Sequence, residues 1–187
     1  MQKDPLELWN FAVALYEEED VKAACLRVQA RYGLSISLLL GAIWIGINGF
    51  GRFGATDMEM VIRRAMEWHR EVIEPIRALR RQLRREPPQG VEEQTHALRH
   101  QLVEAELEAE RIEMRQLLQD LPDDLPVSPP AERWRDAAIN ASLLMRKHCP
   151  RLEREAEEAL VRIILAASPD TPQVLLCQQI RSLWLVG

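Results

Sequence analysis

The stretch Gly33–Gly51, with the sequence GLSISLLLGAIWIGINGFG, carries no charged residue and decides how the rest of the chain must fold. Its length is close to the ~20 residues that span a bilayer. Serines, an asparagine and several glycines dilute its apolar character, however, and no basic or aromatic belt frames its ends. We therefore predict a buried core helix from Ser35 to about Ile47, followed by a glycine-rich loop, with a membrane span as the alternative.

Helix signals continue on both sides of this stretch. Asp4 and Pro5 open a first helix that ends near Tyr16, and a second helix runs from about Asp20 to Gly33. Further helices are expected at about 57–86, 92–119, 131–148 and 151–167, and after residue 172. Pro75 lies inside the first of these and should kink or break it. With no β-type alternation, the chain is predicted to form a single all-α helical-bundle domain of seven or eight helices over residues 1–187.

The two central helices carry opposite charge. Residues 63–85 hold eight arginines against three glutamates, and residues 92–124 hold ten acidic residues against three arginines. The turn PPQG at 87–90 should fold these helices antiparallel, with Arg63 and Arg64 near Glu113. We therefore predict a long antiparallel hairpin of an Arg-rich and a Glu-rich helix, whose charges face each other.

The Glu-rich helix has apolar residues on two sides. One stripe consists of Leu98, Leu102, Ala105, Ala109 and Ile112, and the other of Val103, Leu107, Met114 and Leu118. A helix that is apolar on two sides should be sandwiched, either by the C-terminal helices or by a partner. A second copy of this chain could be that partner, in a homodimer joined through Val103, Leu107 and Met114.

Part of the Arg-rich helix predicts a small patch for an anionic partner. Arg80 and Arg81 have no glutamate at a helical spacing that would neutralise them, and the predicted hairpin brings them beside His96 and His100. The predicted patch consists of Arg77, Arg80, Arg81 and Arg84, with those histidines at its edge. A solvated arginine face, which the dipole at a helix C-terminus favours, is the alternative.

The loop residues Gly49, Gly51 and Gly54 form the pattern G-x-G-x-x-G of a dinucleotide-binding loop. That chemistry needs a strand before the loop, a helix after it, and an acidic residue about 20 positions further on. A helix follows here, but the preceding segment is predicted to be helical, and no further βαβ pattern comes after it. A nucleotide or small-ligand site at this loop is therefore the alternative to a simple turn between two helices.

His96 and His100 form an i, i+4 pair that could bind a divalent cation. Glu93 and His96 have the spacing of one di-iron ligand pair, but no second Glu-x-x-His is present. A solvated pair is the simpler interpretation, since both histidines lie opposite the stripe that begins at Leu98. Whether the C-terminal helices cover them stays open at this point, and no metal or other cofactor is predicted.

Composition restricts the function classes. The chain has 187 residues, a net charge of −5 and 47% hydrophobic residues, which indicates a globular protein without generic affinity for nucleic acid. Its three cysteines are far apart and form no C-x-x-C pair, so neither a disulfide framework nor a cysteine zinc site is indicated. The first residues, MQKDPLELWNF, lack the regions of a signal peptide. We therefore expect a cytoplasmic protein with no membrane contact.

Several phrases occur in a fixed order along the chain. They are W-x-F-A-x-x-x-Y from Trp9, V-x-x-x-C-L-x-x-Q from Val21, the leucines 38–40 with Trp44, W-H-x-E-V-x-x-P-x-R-x-L-R from Trp68, and E-x-x-A-E-R from Glu106. Together they resemble a family of small proteobacterial helical proteins known only as a domain of unknown function. In that family a polar residue usually precedes the leucines, where this chain has Ser35 and Ser37. The resemblance implies a cytoplasmic bacterial protein and transfers no catalytic residue.

This resemblance divides the predicted domain into three parts. Residues 5–120 are expected to be the family-like core, 121–130 an exposed proline-rich linker, and 131–187 the C-terminal helices. No P-loop, EF-hand, zinc-protease or serine-hydrolase motif is present. Together with the segregated charge, this favours a non-enzymatic protein-interaction or regulatory module over an enzyme. A protein partner is expected, and nucleic acid is not.

Overall fold

The computed structural model describes residues 3–185, which form helices joined by short connections. The helices are α1 Pro5–Glu17, α2 Glu19–Tyr32, α3 Ile36–Ile47, α4 Ala55–Trp68, α5 Glu74–Arg85, α6 Glu92–Gln119, α7 Arg133–His148, α8 Arg154–Ala167 and α9 Gln173–Leu185. A π-helical turn, His69–Ile73, joins α4 to α5 without interruption, and a 3₁₀ turn, Pro130–Glu132, precedes α7. With α4, the π turn and α5 counted as one rod, residues 3–185 form eight helices and no strand. The predicted all-α bundle of seven or eight helices is confirmed.

Helix α3 is the predicted core helix. Ten of its twelve residues are buried, and the hydroxyl of Ser35 caps its start by accepting the N–H of Leu38 at 3.3 Å. It makes its most extensive contact with α7 and also packs against α1, α6 and α8. A helix of twelve residues is about 18 Å long. Across residues 3–185, no helix combines the length and the apolar character needed to cross a membrane.

Gly46 allows α3 and α7 to come into close contact. A Cβ added at Gly46 would lie 2.2 Å from the backbone nitrogen of Ala137 and 2.4 Å from its Cα. The facing residues of α7 are also small, since Ala137, Ala138 and Ala141 are completely buried there. The C-terminal helices therefore pack directly onto the central helix of the family-like core.

The glycine-rich loop after α3 packs against the proline-rich segment 121–130. Gly51 has a φ of +112°, and an added Cβ would lie 2.6 Å from the Cβ of Leu125. Leu121, Leu125 and Ser128 are all buried. Six residues of the segment 121–130 are exposed, as expected of a linker, whereas these three side chains are buried and close the core beside the loop.

Helices α5 and α6 form the predicted antiparallel hairpin, but their register differs from the prediction. Arg64 pairs with Asp120, which lies seven residues beyond Glu113, its predicted neighbour. The difference amounts to about two helical turns. Its physical reason is the buried ion pair between Arg77 and Glu106, which fixes the relative position of the two helices.

Helix α6 is sandwiched over only half of its length. Apart from Thr95, its buried residues all lie at or after Glu106. Toward the turn, Leu98 and Val103 are 44% and 40% exposed, and Leu107, just past the middle of the helix, is 45% exposed. The predicted apolar stripes are therefore largely covered in the C-terminal half of α6 and exposed in the N-terminal half.

We expect Gly46→Ala to destabilise the protein much more than Gly41→Ala on the same helix. A Cβ at Gly46 meets the α7 backbone, whereas a Cβ at Gly41 lies 2.5 Å from Cδ2 of Leu117, a side chain that can change its rotamer. Urea unfolding should show a loss of about 3 kcal/mol for Gly46→Ala and about 1 kcal/mol or less for Gly41→Ala. Equal losses would contradict the close contact between α3 and α7.

Candidate functional site

A carboxylate is buried where α3, α6 and the π turn meet. Glu113 on α6 is 0% exposed, and its Oε2 accepts hydrogen bonds from the hydroxyls of Ser35, at 2.7 Å, and Ser37. Its Oε1 faces Nδ1 of His69 at 3.4 Å. A buried carboxylate without partners would cost several kcal/mol. These contacts therefore hold the start of α3 and the π turn against α6.

Pro75 explains why the helix widens at His69. Proline has no N–H to donate, and its ring clashes with the carbonyl of the residue four positions earlier. Just before it, the chain forms an i→i+5 bond in which the N–H of Glu74 donates to the carbonyl of His69. The predicted kink or break takes the form of this π turn, which carries His69 to the buried carboxylate of α6.

Glu74 connects His69 to the arginines of α5. Its Oε1 lies 3.4 Å from Nε2 of His69 and accepts a hydrogen bond from Arg77 at 3.1 Å. Its Oε2 accepts a hydrogen bond from Arg81 at 3.2 Å. One carboxylate thus joins the π turn to two consecutive turns of α5.

Arg77 is the buried cation of this cluster, at 8% exposure. Its Nε donates to Glu106 at 2.7 Å, and its NH2 donates to Glu110 at 3.1 Å. Arg80 also donates to Glu106 through Nε, at 2.7 Å. We call the residues of this network the Glu113 cluster. It consists of Ser35, Ser37, His69, Glu74, Arg77, Arg80, Glu106, Glu110 and Glu113.

The structure corrects the expectation that two arginines of the predicted anionic-partner patch have no acid. Arg80 pairs with Glu106, and Arg81 pairs with Glu74 at 3.2 Å. Both pairs follow from the observed register and from the π turn. Arg84 is exposed near the end of α5. The patch itself stays a prediction, with less unpaired charge than the sequence indicates.

His96 and His100 lie on the exposed half of α6, so the C-terminal helices do not cover them. His100 lies 3.6 Å from Glu104 of the same helix. Among the side chains of residues 3–185, no group of three or more histidines, cysteines, aspartates or glutamates is arranged to hold a metal ion. The exposed positions of His96 and His100 therefore agree with the interpretation of a solvated pair.

The glycine-rich loop uses its backbone donors inside the protein. Five of its six N–H groups, those of Gly49, Phe50, Arg52, Phe53 and Gly54, donate to acceptors of the chain. Asn140 on α7 accepts one of them at 2.8 Å, and its amide donates to the carbonyl of Gly51 at 3.1 Å. The loop also follows a helix, where a dinucleotide site needs a strand. It therefore offers few donors to a phosphate.

A groove of about 690 Å³ opens between α1–α2 on one side and α5–α6 on the other. Its apolar lining includes Trp9, Val13, Leu26, Leu40, Leu107 and Met114. Its polar lining includes Tyr16, Gln29, Ser37, Arg80, Glu110 and Arg111. This volume is in the range of ~300–1,000 Å³ that is typical of small-molecule sites. The Glu113 cluster forms part of its wall.

Polar groups of the groove remain available to a ligand. The guanidinium groups of Arg81 and Arg111 are about half exposed, and Arg111 stacks over the ring of Trp9, 4.4 Å from its centroid. The hydroxyl of Tyr16 and the side-chain amide of Gln29 form no hydrogen bond with any other described residue. The groove therefore combines an apolar floor with a border of arginines and free hydrogen-bonding groups.

Four titratable groups of the Glu113 cluster, His69, Arg77, Glu106 and Glu110, have shifted pKa values. Burial raises the pKa of Glu110 to about 7 despite the charge of Arg77, and the nearby Glu106 and Glu113 add to the increase. Burial lowers the pKa of His69, but the contact and charge of Glu113 outweigh this, so the net pKa lies above its usual value. Such shifts at the wall of a cleft are typical of functional sites.

The order of contacts in the cluster differs from that of a serine nucleophile. In that mechanism the serine hydroxyl donates to a histidine, which a carboxylate orients from its other side. Here the hydroxyls of Ser35 and Ser37 donate directly to Glu113, and His69 faces the other oxygen of that carboxylate. The arrangement can share protons and fix helices, but it does not place a base on the serines.

Sequence reasoning overlooked Glu113, although a signal for it exists. Glu106, Glu110 and Glu113 have the spacing i, i+4, i+7, which places them on one face of α6. That face also carries Ala109 and Leu117, which are buried. Acidic residues at the spacing of an apolar stripe indicate buried ion pairs, and the Arg-rich helix supplies the cations.

We expect Glu110→Gln to change how stability depends on pH. Folding raises the pKa of Glu110, so its contribution to stability is complete below pH 4.5 and is lost as pH rises through about 7. Urea unfolding measures the free energy of unfolding at pH 5 and at pH 8.5. From the lower to the higher pH, this free energy should fall by on the order of 1–3 kcal/mol more for the wild type than for the variant. Exposed Glu108, changed to glutamine, is the control and should keep the wild-type dependence. Identical pH profiles for wild type and Glu110→Gln would contradict the shifted pKa.

Comparison with known proteins gives one similarity. Residues 7–117 match the model of a family described as a protein of unknown function, DUF2390. This range contains most of α1, all of α2 to α5 and most of α6, and with them every residue of the Glu113 cluster. No curated protein and no solved structure matches the chain. Because the match covers more than half of the 187 residues, the chain belongs to the DUF2390 family.

Proposed function

We propose that this protein is a non-enzymatic protein-interaction module of the bacterial cytoplasm, and that its groove receives a segment of a partner protein. The observation that carries the proposal is the composition of the groove. The groove has a volume of about 690 Å³ and an apolar floor, and it is bordered by the half-exposed Arg81 and Arg111, each of which contacts one carboxylate of the chain. The expected occupant presents apolar side chains and at least one carboxylate.

The shape of the groove supports a peptide segment as the occupant. Leu107 lines the groove, and Val103 lies one turn earlier on the same face of α6, where it is 40% exposed. Leu26 on the opposite wall is 47% exposed. Apolar side chains on two facing walls are typical of grooves that accept an amphipathic helix.

The charge at the border supports an acidic occupant. Arg81 contacts only one oxygen of Glu74, and Arg111 contacts Glu108, so both guanidinium groups keep donors that face solvent. Arginine forms paired hydrogen bonds with carboxylates, which gives both affinity and orientation. The predicted anionic-partner patch thus becomes part of the groove border, through Arg77, Arg80 and Arg81.

A second copy of this chain is the competing occupant. Val103 and Leu107 are exposed as a homodimer contact requires, and the acidic Glu104 and Glu108 beside them could face the arginines of the other copy. Met114, however, is 3% exposed and forms part of the groove floor. A contact between copies through Met114 would therefore need a segment of the second copy to enter the groove.

Photocrosslinking from both walls of the groove tests the proposal. A benzophenone amino acid is placed at Leu107 or at Leu26 in the full chain, expressed at its native level in its own cells. Met60 and Val174 are matched controls, because they are 45% and 69% exposed but do not line the groove. We expect one segment of one other protein to be crosslinked from both walls and from neither control.

Other crosslinking results would overturn the proposal. Crosslinks between two copies of this chain from both walls would identify a homo-oligomer. Different proteins captured from the two walls, or capture as strong from Met60 and Val174, would show that the groove has no specific protein occupant.

We expect Arg81→Glu to weaken binding of the crosslinked segment at least tenfold, whereas Arg85→Glu has little effect. Both arginines are exposed on the last turns of α5, but only Arg81 lines the groove. Loss of a charge-assisted contact is worth about 1.5–3 kcal/mol, or roughly a factor of ten or more in affinity. Titration of a synthetic peptide of the segment, followed by fluorescence anisotropy, measures the difference. Equal effects of the two reversals would mean that overall charge, rather than the groove, attracts the partner.

A further inference from the structure

A second cavity, of about 560 Å³, lies on the other side of the Glu113 cluster. It opens between the start of α3, the helix α4, the π turn and the end of α7. Its apolar wall is formed by Leu34, Leu38, Ile62, Met66 and Leu144. We call it the His148 cavity, after the histidine on its α7 side. It is separate from the groove, with which it shares none of its lining residues.

The charges at the border of the His148 cavity are balanced. Three basic side chains line it, Arg63, Arg70 and Lys147, and three acidic ones, Glu59, Glu67 and Glu74. Lys147 pairs with Glu59, and Glu74 is held by the arginines of α5. The border therefore exerts no net attraction on either an anion or a cation. An uncharged ligand fits this balance best.

His148 supplies a hydrogen-bond acceptor to this cavity. Its Nδ1 lies 3.2 Å from the carbonyl oxygen of Tyr32. A carbonyl can only accept, so Nδ1 carries the proton and Nε2 of the neutral ring has a free lone pair. Burial lowers the pKa of His148, the Tyr32 carbonyl opposes this, and the charge of His69 lowers it further. Within residues 3–185, Nε2 has no hydrogen-bond partner.

His69, the other histidine of the cavity, cannot take this role. Its Nδ1 faces Glu113 and its Nε2 faces Glu74, each at 3.4 Å. Both nitrogens are thus directed at carboxylates of the cluster. Glu67 at the border also forms no hydrogen bond or ion pair with another described residue, but its side chain is exposed. The half-buried Nε2 of His148 is therefore the uncommitted acceptor that can select a ligand donating one hydrogen bond.

We propose that the His148 cavity binds an uncharged, mainly apolar molecule whose hydroxyl group donates a hydrogen bond to Nε2 of His148. The volume of the cavity is sufficient for a molecule with one or two aromatic rings. This ligand site goes beyond the proposed interaction function and does not depend on it, because the groove has other lining residues.

Three matched probes test the ligand class by calorimetric titration of the full chain. 2-Naphthol has the apolar body and the donor, 2-methoxynaphthalene has the body without the donor, and 2-naphthoate has the body with a negative charge. We expect 2-naphthol to bind about fivefold to tenfold more tightly than 2-methoxynaphthalene, as one neutral hydrogen bond implies. We expect 2-naphthoate to bind no better than the methoxy compound.

Two variants locate the binding. Met66→Trp should abolish binding of 2-naphthol, because Met66 lines the mouth of the cavity and is 49% exposed. Met60→Trp is its matched control on the same helix, since Met60 is 45% exposed and lies outside the cavity. His148→Phe should make the affinities of 2-naphthol and 2-methoxynaphthalene equal. This ratio reports the acceptor, whereas a purely structural loss would weaken both probes alike.

Three results would overturn the inference. These are unchanged 2-naphthol binding in Met66→Trp, no preference for 2-naphthol over its methoxy analogue in the wild type, and tightest binding of 2-naphthoate. Leu107→Trp in the groove should leave all three affinities unchanged. Failure of the groove proposal and failure of this one are therefore distinguishable.

Discussion

The complete lack of charge on α3 is the constraint on which the rest of the structure depends. A helix without a polar side must be covered on every side, and α1, α6, α7 and α8 provide that cover. Gly46 brings α7 close enough to exclude water from the contact. Once these positions are filled, α5 has only α6 to pack against, and the two helices extend from the core as a hairpin. Both cavities lie where the hairpin meets the core.

The Glu113 cluster connects the core to that hairpin. Ionic groups in a protein interior rarely add much stability over an apolar equivalent, but breaking one pair of such a set is costly. The cluster therefore mainly fixes the relative positions of the helices and adds little to the free energy of unfolding. Its members face in two directions, since Ser35, His69 and Glu74 line the His148 cavity while Ser37, Arg77 and Glu110 line the groove. The same carboxylate, Glu113, contacts members of both sets, Ser35 and His69 of the first and Ser37 of the second.

The helices could be predicted from sequence because their signals are local. The apolar run of α3, the caps at Asp4 and Gly33, and the distortion before Pro75 each depend on a few neighbouring residues. The register of the hairpin could not be predicted from sequence, because arginines and glutamates recur so often that several registers pair equal numbers of charges. The buried side chains of the proline-rich segment 121–130 could not be predicted for a similar reason. Its prolines indicate a loop, but its contact with the glycine-rich loop depends on residues far away in the chain, such as Arg52, whose N–H donates to the carbonyl of Pro126 at 2.9 Å.

The candidate site was only partly accessible from sequence. The arginines of α5 were identified, but as donors to an external anion rather than to Glu106 and Glu74. Two acidic residues of the cluster, Glu106 and Glu110, stand in the sequence phrases that resemble the family. A sequence phrase does not show, however, whether its residues are buried. Burial is decided by how the helices pack, and that information is distributed over the whole chain.

The ion pairs between α5 and α6 also make this protein sensitive to single-residue insertions in α5. A π-helical turn contains one residue more than the α-helical turn that it replaces. The turn His69–Ile73 absorbs that residue, whereas one codon inserted between Glu74 and Arg77 would add a residue to the α-helical part and rotate everything after it by about 100°. Arg77 would then point away from Glu106, and the ion pairs between α5 and α6 would be lost together. In related genes, the length of this segment should therefore be preserved even where its residues change.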